Sequence, residues 1–307
     1  MSEPRIVLCT LLLNEVEWCS KLYEQHKDWP GLVRWVFVEA ADSVYAKVNS
    51  DRVTPSGLSV DGTSEFLRRL AETDERVRYI PHGFSFSLDP AQGKCAARNR
   101  YLRASDDDRP DFIVVVDADE FYPREMQERI NDTMARGRNA WGWCFRHREI
   151  WYPPSIQNLA LVEVNGSGID GRIGTVIDIP YPPFSQEAVG GFWEIPYARC
   201  WRWFEGMEYS DNHNTPSAPR IGPLDKKLVR YDKDESAPYF VHMAFASRLA
   251  DRQAKHRYYE ERGEAKDRKR RWYTESRAAY ETWQPGDSLP HGAKVIPYAG
   301  IVPEVFR

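Results

Sequence analysis

Asp117 and Asp119 stand one residue apart at the end of an apolar run, Phe112-Ile113-Val114-Val115-Val116. Along an extended chain, side chains at that spacing point to the same side, so both carboxylates can face one cation. Hard carboxylate oxygens suit Mg2+ or Mn2+, and a diphosphate would complete an octahedral shell. A cation held there would neutralise charge developing on a leaving diphosphate. The plainer alternative is an acidic strand end that only caps the next helix. The place of the pair, after a buried strand late in a β/α series, favours the cation.

A second cluster is Gly93-Lys94-Cys95-Ala96-Ala97-Arg98-Asn99. Lys94 and Arg98 are four apart, which puts both cations on one face of a helix, near its N-terminus in this reading. They are candidates to grip phosphate oxygens, Arg98 with two prongs. A solvated basic face is the competing reading, and the small residues beside Arg98 argue instead for close packing.

These groups need a scaffold, and the first half of the chain supplies alternating strand and helix signals. Ile6–Leu13, Trp35–Glu39 and Phe112–Val116 are apolar runs of buried-strand type, with Val77–Ile80 weaker. Between them, Asn14 is placed to cap a helix carrying Trp18 and Leu22 on one face, and Ser64–Ala71 reads as a second helix. A third spans Ala91–Leu102, and a fourth starts at Pro123 with Met126, Ile130 and Met134 along one stripe. That order implies a mostly parallel sheet flanked by helices, with ligands at the carboxyl ends of its strands.

Beyond residue 140 the pattern becomes strand-rich: Trp141–Trp151, Leu159–Val164, Ile173–Ile179, Arg199–Phe204 and Tyr239–Ala244, separated by Gly- and Pro-rich loops. From Ser247 to Arg277 it turns helical and charged, with eleven Lys/Arg against six Asp/Glu between Arg248 and Arg277. The expected organisation is one domain over residues 1–245, followed by a basic helical arm and tail over 246–307.

A net charge of −4 speaks against a general polyanion binder. The five cysteines, Cys9, Cys19, Cys95, Cys144 and Cys200, are widely spaced and form no CxxC pair. They suggest neither a disulfide framework nor a zinc site, and a reducing compartment fits them. Ile6–Leu13 is too short to span a membrane and runs into Asn14-Glu15, so a soluble cytoplasmic protein is expected.

Four features together resemble the family-2-like glycosyltransferases of the A-type fold. They are the first strand into Asn14-Glu15, the second into Glu39-Ala40-Ala41-Asp42, the Gly93…Ala97-Arg98-Asn99 segment and Asp117-Ala118-Asp119. The resemblance covers roughly residues 5–125. It implies a Rossmann-like α/β sheet and metal-dependent transfer of a sugar from a nucleotide diphosphate, UDP-linked, to a hydroxyl acceptor. Thr10, Glu15, Glu39, Asp42, Lys94, Arg98 and Asp117 would contact the donor, and Asp117 with Asp119 the metal. Glu39 departs from the Asp that many relatives place there. Related enzymes often also show an Arg-bearing strand, then a His, then a strand ending in His. By that likeness, His242 would be a third metal ligand or a diphosphate contact.

An inverting transfer needs a base within reach of the acceptor hydroxyl. Glu149, Glu194, Asp211 and His213 are the candidates, with Glu194 favoured by Gly190-Gly191 and Trp193, which allow a sugar to approach and stack. A retaining enzyme would need none of them. The acceptor is left open among a glycan, a small molecule and a modified nucleic acid. The segment Arg268-Lys269-Arg270-Arg271-Trp272-Tyr273 brings cations to phosphates and rings to bases, which raises hydroxymethylated DNA as an acceptor. A nucleotidyltransferase of similar sheet and a non-catalytic carbohydrate-binding protein are the alternatives. The first is disfavoured by Thr10-Leu11-Leu12-Leu13 where a Gly-rich signature would stand.

Overall fold

A computed structural model describes residues 3–85, 90–151, 162–164, 175–178, 198–210, 213–231, 236–245, 254–255, 257–258, 260–262, 294–297 and 303–306. The chain divides into two compact units, one of residues 1–146, 196–240 and 303–307, the other of 147–195 and 241–302.

The first unit is built on the parallel strands β1 (Ile6–Leu12), β2 (Leu32–Asp42), β3 (Val77–Ser85) and β4 (Phe112–Val115). Cys9 pairs with Val36 on β2 and with Val115 on β4, so β1 lies at the centre. Their residues are apolar in runs rather than alternating because helices cover both faces. α1 (Val16–His26) buries Trp18, Cys19 and Leu22. α2 (Ser43–Val48) follows β2 directly, and α3 (Thr63–Thr73) precedes β3. α4 (Pro90–Ser105) packs on β1, β2 and β3 and adds Cys95, Ala97, Tyr101 and Leu102 to the core. After the two-residue strand β5 (Glu120–Phe121), α5 (Arg124–Arg136) buries Met126, Ile130 and Met134, the expected stripe. Pro123 stands just outside α5, as its N-cap.

The sheet then changes direction. β6 (Gly142–Cys144) starts the strand-rich part, and β10 (Ala198–Arg202) runs antiparallel between β4 and β6. β11 (Ser217–Ala218) and β12 (Gly222–Pro223) form a small hairpin, and β13 (Leu228–Arg230) ends the sheet beside β6. The order is β13-β6-β10-β4-β1-β2-β3.

In the second part, β7 (Arg146–Trp151) pairs antiparallel with β8 (Val162–Val164), which is parallel to β9 (Thr175–Asp178). β14 (Tyr239–Phe245) precedes β15 (Lys294–Pro297), which closes on β9. The expected strands at 159–164, 173–179 and 239–244 thus have counterparts. The basic segment 268–273 lies outside the described residues.

One local expectation is corrected. Glu15, not Asn14, is the N-cap residue of α1, and it makes no side-chain cap bond. Asn14 sits at φ 58, a conformation that Asn tolerates better than most residues. Its amide donates to the Arg52 carbonyl at 2.8 Å and its oxygen accepts from Val60 N at 3.0 Å. It therefore ties the end of β1 to the loop before α3.

Candidate functional site

The strand order reverses at β1: β2 lies on one side and β4 on the other. Such a switch point opens a crevice at the carboxyl ends of the strands. The carboxyl end of β4 carries Asp117-Ala118-Asp119-Glu120. Pairing with β1 persists through Val116, whose N–H donates to the Cys9 carbonyl at 2.9 Å. The chain then turns, with Glu120 N–H donating to the Asp117 carbonyl at 3.0 Å. Asp117 and Asp119 therefore belong to a tight turn, and the extended-chain alternation expected to align them does not hold there. Both remain half-buried, at the strand end.

Asp117 meets a charge from far along the chain. Arg199, from β10, donates through Nη2 to Asp117 Oδ2 at 2.5 Å and through Nε to Glu120 Oε1 at 2.9 Å. Nη2 also meets Glu120 Oε1. Glu120 Oε2 accepts from the Asp117 backbone N–H at 3.1 Å. The Arg199 and Glu120 side chains are 4% and 1% exposed, against 30% for Asp117. Burial works against the Arg199 charge, but Asp117 and Glu120 outweigh it and hold the guanidinium well above its ordinary pKa. The local signal was present. An arginine between Ala198 and Cys200 in a buried strand needs an acid partner, and Glu120 extends the acidic turn by one residue.

Arg98 lies two turns into α4, not near its N-terminus, and is buried. Its Nη1 meets the His213 carbonyl, and its guanidinium lies 5.6 Å from the Tyr209 ring centroid. Nε is buried with no hydrogen-bond partner among the described residues. Burial opposes its charge, while Tyr101, Tyr209 and Asp117 support it, and the balance is upward. The next residue, Asn99, clasps Tyr209 from both sides, donating to its carbonyl at 2.8 Å and accepting from its N–H at 2.7 Å. Lys94, one turn earlier, is half-buried. So α4 anchors the backbone of both Tyr209 and His213.

The ends of β1 and β2 differ from that wall. Thr10 is fully buried and its hydroxyl accepts from Trp35 Nε1 at 3.0 Å. Glu39 is fully buried as well, accepting from Ser59 N–H at 2.6 Å, from the Ser64 hydroxyl at 2.8 Å and from the Tyr79 hydroxyl. Burial, then the Glu39 carboxylate, push the Tyr79 hydroxyl upward in pKa. Asp42 caps α2, accepting from Val44 N–H at 2.8 Å. Glu15 is half-buried, and its N–H donates to Thr63 Oγ1 at 2.9 Å. The loop 50–62 is fitted tightly against β3: a Cβ on Gly57 would lie 2.6 Å from Phe84 N, and one on Gly83 would lie 2.3 Å from Ser56 O.

Of the candidate bases, His213 is half-buried in the first unit. Asp211 and Glu194 lie outside the described residues. Glu149 stands on β7, opposite Val164 on β8. His242 is half-buried on β14, in the second unit. Among the described residues no group of three or more His, Cys, Asp or Glu stands ready to hold a metal. The Asp117–Asp119 turn offers two carboxylates, a donor set that suits a cation carried in with a diphosphate and water.

The fold and site define a mostly parallel α/β domain with an acidic turn and buried arginines at its switch point. More narrowly, residues 57–169 match the model of glycosyl transferase family 2, a stretch that includes α3, α4, the acidic turn and α5. The chain is in this sense family-2-like. Similar solved structures include the mannosyltransferase PcManGT of Pyrobaculum calidifontis in complex with GDP-Man and Mn2+, at 20% identity and a TM-score of 0.34 over 48% of this chain and 37% of that one. Residues 1–349 of TarS from S. aureus in complex with UDP-GlcNAc are 13% identical, with a TM-score of 0.33, over 54% of this chain and 37% of that one. Another TarS 1–349 structure is 10% identical, with a TM-score of 0.40, over 88% of this chain and 74% of that one. The chain thus spans about 37% of the first two structures. No curated protein sequence matches it. No helix among the described residues is long and apolar enough to cross a membrane.

Proposed function

We propose that this chain is a glycosyltransferase that moves a sugar from a UDP-linked donor to a hydroxyl acceptor, with Mn2+ or Mg2+ held by Asp117 and Asp119. One observation carries the reading: the acidic turn stands at the carboxyl end of β4, at the switch point, inside the stretch matched by the family model. When bound, the cation supplies charge neutralisation for the departing diphosphate.

The chain's own residues prepare the site. Arg199 and Glu120 fix the acidic turn from beneath, so Asp117 meets its ligand in a set orientation. Arg98 and Asn99 hold the approach to His213, and Lys94 stands on the same helix face as Arg98 for donor phosphates. Thr10, Glu15, Glu39 and Asp42 stand at or beside the nucleotide side of the crevice. For Thr10, Glu39 and Asp42 the role is indirect, since each side chain already accepts internal hydrogen bonds. His213 is our candidate base, with Asp211, Glu149 and Glu194 as the other choices. All five cysteines are free and buried, in keeping with a reducing, cytoplasmic setting. The organisation into a domain over 1–245 and a basic arm over 246–307 belongs to the same proposal, and a glycan, a small molecule or hydroxymethylated DNA are its acceptors.

The test is a donor screen that scores sugar-nucleotide hydrolysis with Mn2+ and with EDTA, followed by an acceptor screen that includes hydroxymethylated DNA. Metal-dependent hydrolysis of a UDP-sugar is expected. Failure to bind or hydrolyse any sugar nucleotide overturns the reading.

A further inference from the structure

Arg199 reaches two acids that play different parts. Glu120 is sealed in the core, whereas Asp117 is partly open to solvent at the crevice. The guanidinium sits between them with Nε on Glu120 and Nη2 on both. A planar fork with several fixed donors can satisfy two carboxylates at once, which a lysine ammonium does less well. Any cation arriving at Asp117 therefore meets a carboxylate already engaged by a positive charge. Arg98 adds a second buried cation near the same group.

Resting on the proposed metal-dependent reading, we propose that Arg199 is a positioning residue that competes with the divalent cation for Asp117, with Glu120 setting the strength of its hold. Asp119 then becomes the stronger protein contact to the cation. The pair makes cation binding depend on the diphosphate, because the turn alone offers a carboxylate half-neutralised from within. That arrangement keeps the site from trapping free metal and favours entry of the metal–nucleotide complex.

The hypothesis predicts opposite effects from two conservative changes. In Arg199→Lys the two-pronged hold is lost and Asp117 is released toward the cation. In Glu120→Gln the competing acid loses its charge, so Arg199 leans more heavily on Asp117. A purely structural role would weaken binding in both variants or in neither.

The measurement is Mn2+ binding by electron paramagnetic resonance, with and without UDP, on the full chain, with thermal melts to verify folding. Arg199→Lys should tighten Mn2+ binding in the absence of UDP on the order of tenfold, the scale of one charge-assisted hydrogen bond. Glu120→Gln should weaken it. Equal binding in all three proteins, or weaker binding in both variants, would overturn the role of Arg199 and leave the functional reading standing. If Arg199→Lys does not fold, the Glu120→Gln arm decides alone: unchanged or tighter binding there overturns the proposal. No Mn2+ binding by the unaltered chain, with UDP present, would overturn both.

Discussion

The carboxyl ends of β2 and β4 each bring an acid toward the same crevice, yet the two acids are in opposite situations. Glu39 is fully buried and is met by a backbone N–H and two hydroxyls from the loop before α3, the start of α3 and β3. Asp117 is 30% exposed and is held from below by Arg199. A strand-end carboxylate thus becomes structural when its neighbours supply all its donors, and stays available when they supply only some. Family resemblance assigns both to donor binding. Their surroundings separate them.

The sharpest way to break that contrast is Glu39→Ala. Removing the carboxylate leaves Ser59 N–H, Ser64 and Tyr79 with an unmet acceptor in a buried place. A loss of about 4 kcal/mol is expected, read as a fall in the thermal midpoint on the order of 10 °C. UDP affinity of the protein that remains folded should change little. A stable variant that no longer binds UDP would reverse the assignment and make Glu39 a ligand contact.

His26 tests the same idea on a group that titrates. It is fully buried against Trp29 and Tyr122. Nδ1 lies 2.8 Å from the Leu22 carbonyl, and Nε2 accepts from Tyr122 N–H at 3.0 Å, so the ring is neutral with its proton on Nδ1. Burial lowers its pKa to about 4. The native state then resists a proton that the unfolded chain takes up near its ordinary value. Stability is full above pH 6.5 and falls as pH drops from there toward 4, by on the order of 3 kcal/mol. Urea melts followed by tryptophan fluorescence should show this fall, and His26→Gln should flatten it. A flat profile in the unaltered chain would remove the claim.

Asp119→Ala probes the other side of the contrast. It lies in the turn but outside the buried Arg199–Glu120 pair, so the thermal midpoint should fall less than in Glu39→Ala. Mn2+-dependent UDP binding by calorimetry should fall by about a hundredfold, or roughly 2.7 kcal/mol. Unchanged binding would end the metal assignment.

How much of this was legible in the sequence follows from distance along the chain. β1, β2 and β4 announce themselves as apolar runs because both faces of a parallel sheet are covered, and α5 shows its stripe in Met126, Ile130 and Met134. The composition of the acidic turn is legible but its geometry is not: strand alternation predicts two aligned carboxylates, whereas the chain begins to turn at Asp117. The donors around Glu39 come from 20 to 40 residues away, and Arg199 meets Asp117 across 82. No local period encodes such pairings. The short elements α2 and β5 also escape periodicity, since six and two residues are too few to display one.

The mildest change lies on α4. Asn99 closes a reciprocal pair with the backbone of Tyr209, and Arg98 beside it meets the His213 carbonyl. Asn99→Ala leaves the Tyr209 N–H and carbonyl to find other partners at a part-buried position, which costs about 1–2 kcal/mol. Asn99→Asp keeps the acceptor for the Tyr209 N–H but replaces the donor with a second acceptor facing the carbonyl, so it should gain little over alanine. Hydrogen exchange at the Tyr209 amide separates the two: faster in Asn99→Ala, still protected in Asn99→Asp. If His213 lies on the acceptor path, the alanine variant should also raise the acceptor KM while leaving Mn2+-dependent UDP affinity unchanged, because Asp117 keeps its own support in Arg199. Loss of UDP affinity instead would mean that α4 holds the donor rather than the approach to His213.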